Sequence, residues 1–303
     1  MVVVTSLFEP ELSIPVVKRG SFKTAVILYD LIPLIFREKY QFKDSSQWYL
    51  PEEWYKGQLD QLKKADVLLS ISEASRRDYL KLIENEEGKV VTISSAIDNE
   101  KFGGVKEEAT IVKEKLVRLG IVDPFIFYVG GNNWRKNVEG LLETYSCLPD
   151  YLKSKYQLVI TYDVWEAEKK RLMKLSEKLA IKDRVVFTGF LPDECLELLY
   201  SSCTVFIFPS FYEGFGLPVL EAMSCGAPVI VSNTSSLPEI VEYEEALFDP
   251  YNESSIKNKL TAVLQNEELR KRLMDQGKRQ SRKFSWSRTA SQCLESLEKL
   301  VLS

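Results

Sequence analysis

The chain has 303 residues, 45% of them hydrophobic, which suits about two ordinary globular domains. Its net charge of −4 offers no bulk attraction for nucleic acid, so a nucleic-acid partner is not expected. It contains no histidine, which excludes Ser-His nucleophiles, imidazole bases and histidine metal ligands and leaves acid–base work to carboxylates, Lys, Tyr or substrate oxygens.

Short apolar runs alternate with amphipathic stretches throughout, which predicts an α/β fold with parallel sheets. Strands are expected near Val2–Thr5, Thr24–Leu28, Val67–Ile71 and Val90–Ile93, with helices near Pro51–Lys64 and Glu73–Leu82. Ser72 stands where it would cap the second of these helices. The stretch Ala96–Gly120 is charged and poor in strand signal, and a domain boundary is expected within it. Beyond it, strands are expected near Phe125–Val129, Gln157–Thr161, Val185–Phe187, Val205–Phe208 and Val229–Val231. Helices are expected near Val138–Cys147, Trp165–Leu179, Glu194–Tyr200, Leu217–Ser224, Ser254–Leu264 and Glu267–Phe284. No internal repeat or low-complexity tract interrupts this order.

The most informative stretch is FPSFYEGFGLPVLEAMSCGAPVIVSNTSSLPE, which begins at Phe208. Glu213 and Glu221 are spaced E-x7-E around a Gly-Phe-Gly turn, Gly214 to Gly216. Pro218 occupies a first-turn helical position and Gly226 the place where a helix stops, the favoured asymmetry. The unit is strand, glycine turn, short helix, strand. It places unpaired N–H groups of a helix start at the carboxyl ends of a parallel sheet, where phosphates bind. Carboxylates there can also hold sugar hydroxyls.

This stretch resembles the retaining glycosyltransferases of the GT-B fold, specifically the large family 4 that uses nucleotide-sugar donors. FIFYVGGNNWRKNVEGLLETY is similar to the family's strand, glycine turn and R/K-K-N helix start. VVFTGFLPDECLELLYSSCTVFIFPS is similar to its next two strands with their helix. AVILYDLIPLIFREKY, ADVLLSISEASRRDYL and KVVTISSAIDNEKF resemble the later half of its first domain, and FSWSRTASQCLESL its closing helix. The resemblance runs from about Thr5 to the C-terminus. It implies two Rossmann-type parallel-sheet domains, the first reduced. The expected division is residues 1–105 for an acceptor-side domain, 106–284 for a nucleotide-sugar-binding domain, and 285–303 for a helix packing back on the first.

The resemblance also implies roles. Glu213 faces the donor sugar, where a carboxylate binds hydroxyls or balances charge developing at the anomeric carbon; a solvated loop carboxylate is the plain alternative. Glu221 holds the ribose diol, although a negative charge near a helix start is favourable by itself, worth at most about 1 kcal/mol. Gly214, Phe215, Gly216 and Leu217 offer backbone to the diphosphate, against a turn that needs glycine for geometry alone. Lys136 neutralises charge on the leaving diphosphate. The family often has a second basic residue directly after the first glycine of the Gly130 turn; that place is Gly131 here, and Arg135 is the candidate substitute. Phe190 and Leu191 frame the base or simply pack a strand end. Tyr29 and Asp30 replace a frequent His-Asp pair, and an ordinary tyrosine pKa near 10 makes Tyr29 a poor base. Ser72, Glu73 and Arg76 begin a helix facing the cleft in the resemblance; here Ser72 reads as a cap and Arg76 as a surface charge.

The reaction implied moves a hexose from a nucleoside diphosphate sugar to a glycan or lipid-linked acceptor with retention. The YDLIPL and SEASRR segments point to mannosyl-type transferases of surface polysaccharide assembly. No metal or other cofactor is expected, since GT-B relatives hold the diphosphate with cations and helix dipoles. A nucleotide-binding remnant and a nucleotide-sugar epimerase of the same architecture are the rival readings. The first domain looks short of its opening strand and glycine-rich loop, so weak activity of this chain alone is expected. Self-association, a partner supplying the missing half, or contact with a membrane surface is expected with it. The cysteines Cys147, Cys195, Cys203, Cys225 and Cys293 are scattered and read as reduced thiols. No apolar run approaches a membrane span, and MVVVTSLFEP lacks the basic flank of a signal peptide. A cytoplasmic location is expected, with peripheral contact at the inner membrane face.

Overall fold

The structure is a computed structural model that describes residues 1–8, 22–40, 52–83, 86–98, 101–104, 108–131, 133–161 and 166–302. Pro51, Asn132, Trp165 and the expected boundary at 105–106 lie outside these residues. The chain divides into two compact units: Met1–Ala96 with Glu213–Phe215 and Phe284–Ser303, and Ile97–Tyr212 with Gly216–Lys283.

Among the described residues the first unit holds four parallel strands in chain order: β1 (Val2–Val4), β2 (Thr24–Leu28), β3 (Val67–Ser70) and β4 (Val90–Thr92). Val2 pairs with Thr24, Ala25 with Val67 and Leu68 with Val90. The helices α1 (Ile32–Ile35) and α2 (Glu52–Lys64) lie between β2 and β3, and α3 (Glu73–Leu82) between β3 and β4, as parallel pairing requires a crossover. Alternate residues serve opposite faces of the sheet. Val26, Leu28 and Leu68 pack with Tyr55, Leu59 and Leu62 of α2 and Tyr79 of α3. Ala25, Val67, Leu69 and Ile93 face the other way, against Cys293, Leu297 and Leu300. Ser72 caps α3 by accepting the Ser75 N–H at 3.0 Å. Arg76 is not the surface charge expected from sequence. Its side chain is only 23% exposed, its Nε donates to the Val90 carbonyl at 3.1 Å, and it pairs with Glu73 three residues earlier.

The second unit opens with α4 (Ala109–Arg118), a helix inside the charged stretch. Then follow β5 (Phe125–Val129), α5 (Val138–Ser146), α6 (Asp150–Lys155), β6 (Gln157–Thr161), α7 (Glu166–Lys178) and β7 (Val185–Phe187). The second half runs α8 (Asp193–Ser202), β8 (Val205–Phe208), α9 (Leu217–Ser224), β9 (Val229–Ser232), α10 (Leu237–Val241) and β10 (Leu247–Phe248). It ends with α11 (Glu253–Gln265) and α12 (Glu267–Ser281), and α13 (Trp286–Leu302) returns to the first unit. The strands form one parallel sheet in the order β10-β9-β8-β5-β6-β7. Ile126 aligns with Val205, Phe125 with Gln157 and Phe206 with Val229. β5, β6, β8 and β9 are buried almost throughout, as a sheet covered by helices on both faces must be. All five cysteines are free thiols. Among the described residues no helix is long and apolar enough to cross a membrane.

Candidate active site

The second unit's sheet reverses direction at β5. The chain proceeds from β5 to β6 and β7 on one side, then resumes at β8 on the other. Open parallel sheets bind ligands outside the strand carboxyl ends at such a reversal, because the two flanking loops diverge there. The loops leaving β5 and β8 carry most of the residues singled out by the sequence.

After β5, the Gly130 N–H donates to the Thr161 carbonyl at 3.2 Å. A Cβ on Gly130 would lie 1.9 Å from the Tyr128 hydroxyl oxygen, so the close approach requires glycine, while Gly131 faces open space. Asn133 then caps a 3-10 turn, Trp134–Lys136, by accepting the Arg135 N–H at 3.1 Å. Asn137 follows in the left-handed region at φ 55° and donates its Nδ2 to the Pro209 carbonyl at 3.1 Å. The Phe211 N–H donates to the Arg135 carbonyl at 2.7 Å. Arg135 Nη1 in turn donates to the Tyr212 carbonyl at 3.1 Å. Arg135 thus braces the β8 loop. Lys136 Nζ stands 5.0 Å from the centroid of the Phe208 ring, at the carboxyl end of β8.

The β8 loop leads into α9, whose start suits an anion. Gly216 has φ 136°, and a Cβ there would meet Leu237 Cδ2 at 2.8 Å and Ile240 Cδ1 at 3.1 Å. The helix has no side-chain cap and no acidic residue in its first turn. The Val219 and Leu220 N–H groups turn back to the Gly216 carbonyl, and Pro218 has no N–H to satisfy. The positive end of the helix dipole therefore meets no carboxylate of its own first turn. Leu217, at the helix start, is 40% exposed.

Glu221 lies one turn further on and is half-buried. Tyr200 of α8, fully buried, donates its hydroxyl to Glu221 Oε2 at 2.9 Å. The Tyr200 ring is clamped edge-on by Phe127 and by Phe206, each at 5.3 Å. Burial pushes the Glu221 carboxyl above the usual range; the Tyr200 bond pulls it down, Asp193 raises it and Lys101 lowers it. Nothing in the sequence pattern marked Tyr200, which occupies an apolar position on α8. Phe190, after β7, is 75% exposed, so strand-end packing does not account for it, whereas Leu191 beside it is half-buried.

The remaining candidates group with the first unit. Glu213 is 6% exposed, which removes the reading of a solvated loop carboxylate. A Cβ on Gly214 would come within 2.9 Å of Asp30 Cβ and Oδ2, so a side chain is excluded there too. Ser75 Oγ lies 2.7 Å from the Tyr29 carbonyl and 3.3 Å from the Gly214 carbonyl, contacts with no signature in the sequence. Asp30 Oδ1 accepts the Ile32 N–H at 3.0 Å, and Tyr29 is 46% exposed. Phe215 meets Phe284 edge-on at 5.8 Å.

Among solved structures, sucrose-phosphate synthase from Thermosynechococcus elongatus is similar, with a TM-score of 0.78 at 24% identity, covering 94% of this chain and 69% of that one. The fold is the GT-B fold of glycosyltransferases. The serotype-specific mannosyltransferase WbdA of Escherichia coli is 34% identical over 93% of this chain and 34% of its own length. The O-antigen chain mannosyltransferase B of Escherichia coli is 33% identical over 80% of this chain and 62% of its own. The chain therefore spans about a third of the length of the first relative and under two thirds of the second. The profile of glycosyl transferases group 1 matches residues 116–280, more than half of the chain, and the chain belongs to that family.

Proposed function

We propose that this glycosyltransferase moves mannose from a nucleoside diphosphate sugar, GDP-mannose first among candidates, to a glycan or lipid-linked acceptor with retention at the anomeric carbon. The observation that carries this reading is the α9 start without a side-chain cap, on the loop that leaves β8, together with Lys136 over Phe208 at the carboxyl end of that same strand, beside the sheet reversal. The two together suit a diphosphate: a helix dipole end and a cation are the groups that stabilise negative charge growing as the leaving group departs. Mannose is favoured because the two similar Escherichia coli proteins are mannosyltransferases by name. In the reaction, the bond from the anomeric carbon to the phosphate oxygen breaks and a bond to the acceptor oxygen forms on the same face. The acceptor proton passes to the leaving phosphate, which fits a chain with no histidine. Buried Glu213 balances positive charge on the sugar, Glu221 accepts the ribose hydroxyls, and no metal is required in this scheme. A lipid-linked acceptor would bring the protein to a membrane surface.

The test joins calorimetry to product analysis. GDP should bind the whole chain, and Lys136→Ala should weaken GDP by more than tenfold, for a charge-assisted contact worth roughly 1.5–3 kcal/mol, while guanosine binding changes little. Glu213→Ala should keep GDP affinity and lose transfer. Equal losses for GDP and guanosine would remove Lys136 from the phosphate. A free epimerised sugar nucleotide in place of a glycosylated acceptor would overturn the transferase scheme, and a β-linked product would overturn retention.

A further inference from the structure

Three aromatic rings form a stack at the carboxyl end of the second unit's sheet. Trp134, after β5, lies 6.1 Å from Phe211, after β8, at an interplanar angle of 26°. Phe211 lies 4.9 Å from Tyr251, after β10, at 22°. Trp134 and Phe211 are half-buried, whereas Tyr251 is 64% exposed. The near-parallel file of rings thus runs from half-buried Trp134 and Phe211 to Tyr251, the most exposed of the three.

The stack is fixed to the phosphate loops. Trp134 immediately precedes Arg135 and Lys136, and the Phe211 N–H is bonded to the Arg135 carbonyl at 2.7 Å. It stands on the β8–β10 side of the reversal, away from Phe190, which follows β7 on the other side. The rim at Tyr251 is polar: Asp249 Oδ1 accepts the Tyr251 N–H at 2.9 Å, and Asn252 caps α11. An exposed aromatic ring with a carboxylate and an amide on neighbouring residues suits a pyranose, which shows C–H bonds on one face and hydroxyls around its rim.

We propose that the Trp134–Phe211–Tyr251 stack is a saccharide subsite that takes a hexopyranose ring of the growing acceptor glycan on the exposed Tyr251 ring. This rests on the transferase reading above and adds an acceptor contact on the nucleotide-binding unit. The side chains act by stacking alone, with no bond made or broken there.

The test uses the whole chain saturated with GDP and titrated with linear α-mannotetraose. Binding is expected, with Tyr251→Ala weakening it about fivefold, as loss of one aromatic stacking contact implies, and leaving GDP affinity unchanged. Tyr251→Phe should retain most of the binding, because the ring and not the hydroxyl carries the contact. Equal tetraose affinity in wild type and Tyr251→Ala overturns the subsite. GDP binding with no tetraose binding by wild type also overturns it and leaves the transferase reading standing. A loss of GDP or guanosine affinity in Tyr251→Ala overturns it in favour of a nucleobase platform. Failure of wild type to bind any nucleoside diphosphate sinks the transferase reading instead, and tetraose binding that still depends on Tyr251 would then uphold the subsite by itself.

Discussion

Glu221 answers to two demands, a half-buried place in the fold and the ribose contact proposed for it. Burial raises its carboxyl, and Tyr200 restrains the rise by donating a hydrogen bond to one oxygen. An acid whose folded pKa is raised binds its proton more tightly in the folded chain than in the unfolded one. Its ionisation therefore costs stability as pH rises through the raised value, and the cost vanishes once pH falls below the unfolded pKa near 4.3. Glu221→Gln is expected to raise the melting temperature of the unliganded chain at neutral pH. The gain should shrink on acidification, while GDP affinity falls because the carboxylate acceptor is gone. Tyr200→Phe keeps the edge-on packing with Phe127 and Phe206 and removes only the hydroxyl. The Glu221 carboxyl then rises further, so GDP affinity in this variant should fall away at a higher pH than in wild type. Calorimetric titrations across pH check both. Superimposable wild-type and Tyr200→Phe pH profiles would reduce Tyr200 to a packing residue.

At the scale of elements, legibility followed punctuation. α9 was readable to the residue because Pro218 and Gly226 bracket it and the alternatives fail: Gly226 has φ 81°, a conformation that favours glycine. α3 was equally plain from its Ser72 cap. By contrast, β10 escaped because two residues, Leu247 and Phe248, make no periodic signal. α4 escaped because it has no buried residue and its apolar positions are diluted by charge. The roles of Tyr200, Ser75 and Arg76 were illegible for a different reason: their partners are far off in sequence or carry backbone oxygens that any residue supplies. The start of α9 gives the test at this scale. Gly216→Ala places a side chain in a positive-φ site and within 2.8 Å of Leu237, which should cost about 1–3 kcal/mol in denaturant unfolding. It should also tilt the first turn and weaken GDP beyond what Glu221→Gln does. Unchanged stability would mean that the turn relaxes freely and that its geometry is not what holds the anion.

The whole molecule is two units of different continuity. The second runs from Ile97 to Lys283, interrupted by Glu213–Phe215 alone, whereas the first joins Met1–Ala96 to those three residues and to Phe284–Ser303. α13 covers one face of the first unit's sheet, with Cys293, Leu297 and Leu300 against Ala25, Val67, Leu69 and Ile93. Thr289 Oγ1 adds a hydrogen bond to the Ser94 carbonyl at 2.9 Å. The other face of the same sheet has its own cover from α2 and α3, so removal of α13 strips one layer and leaves the other. Such contacts close a loop of nearly two hundred residues, a closure whose entropy cost the first unit must offset. A chain ended at Ser285 should therefore unfold in two separated steps. The lower step should report the first unit, move down sharply with the truncation and ignore GDP. The upper step should keep the wild-type midpoint and rise with GDP, by mass action on the unit that carries Lys136, the α9 start and Glu221. Differential scanning calorimetry with and without GDP reads both steps. If the truncated chain melts in one transition that GDP shifts as a whole, the two units are a single cooperative body, and stability cannot be divided between them in this way.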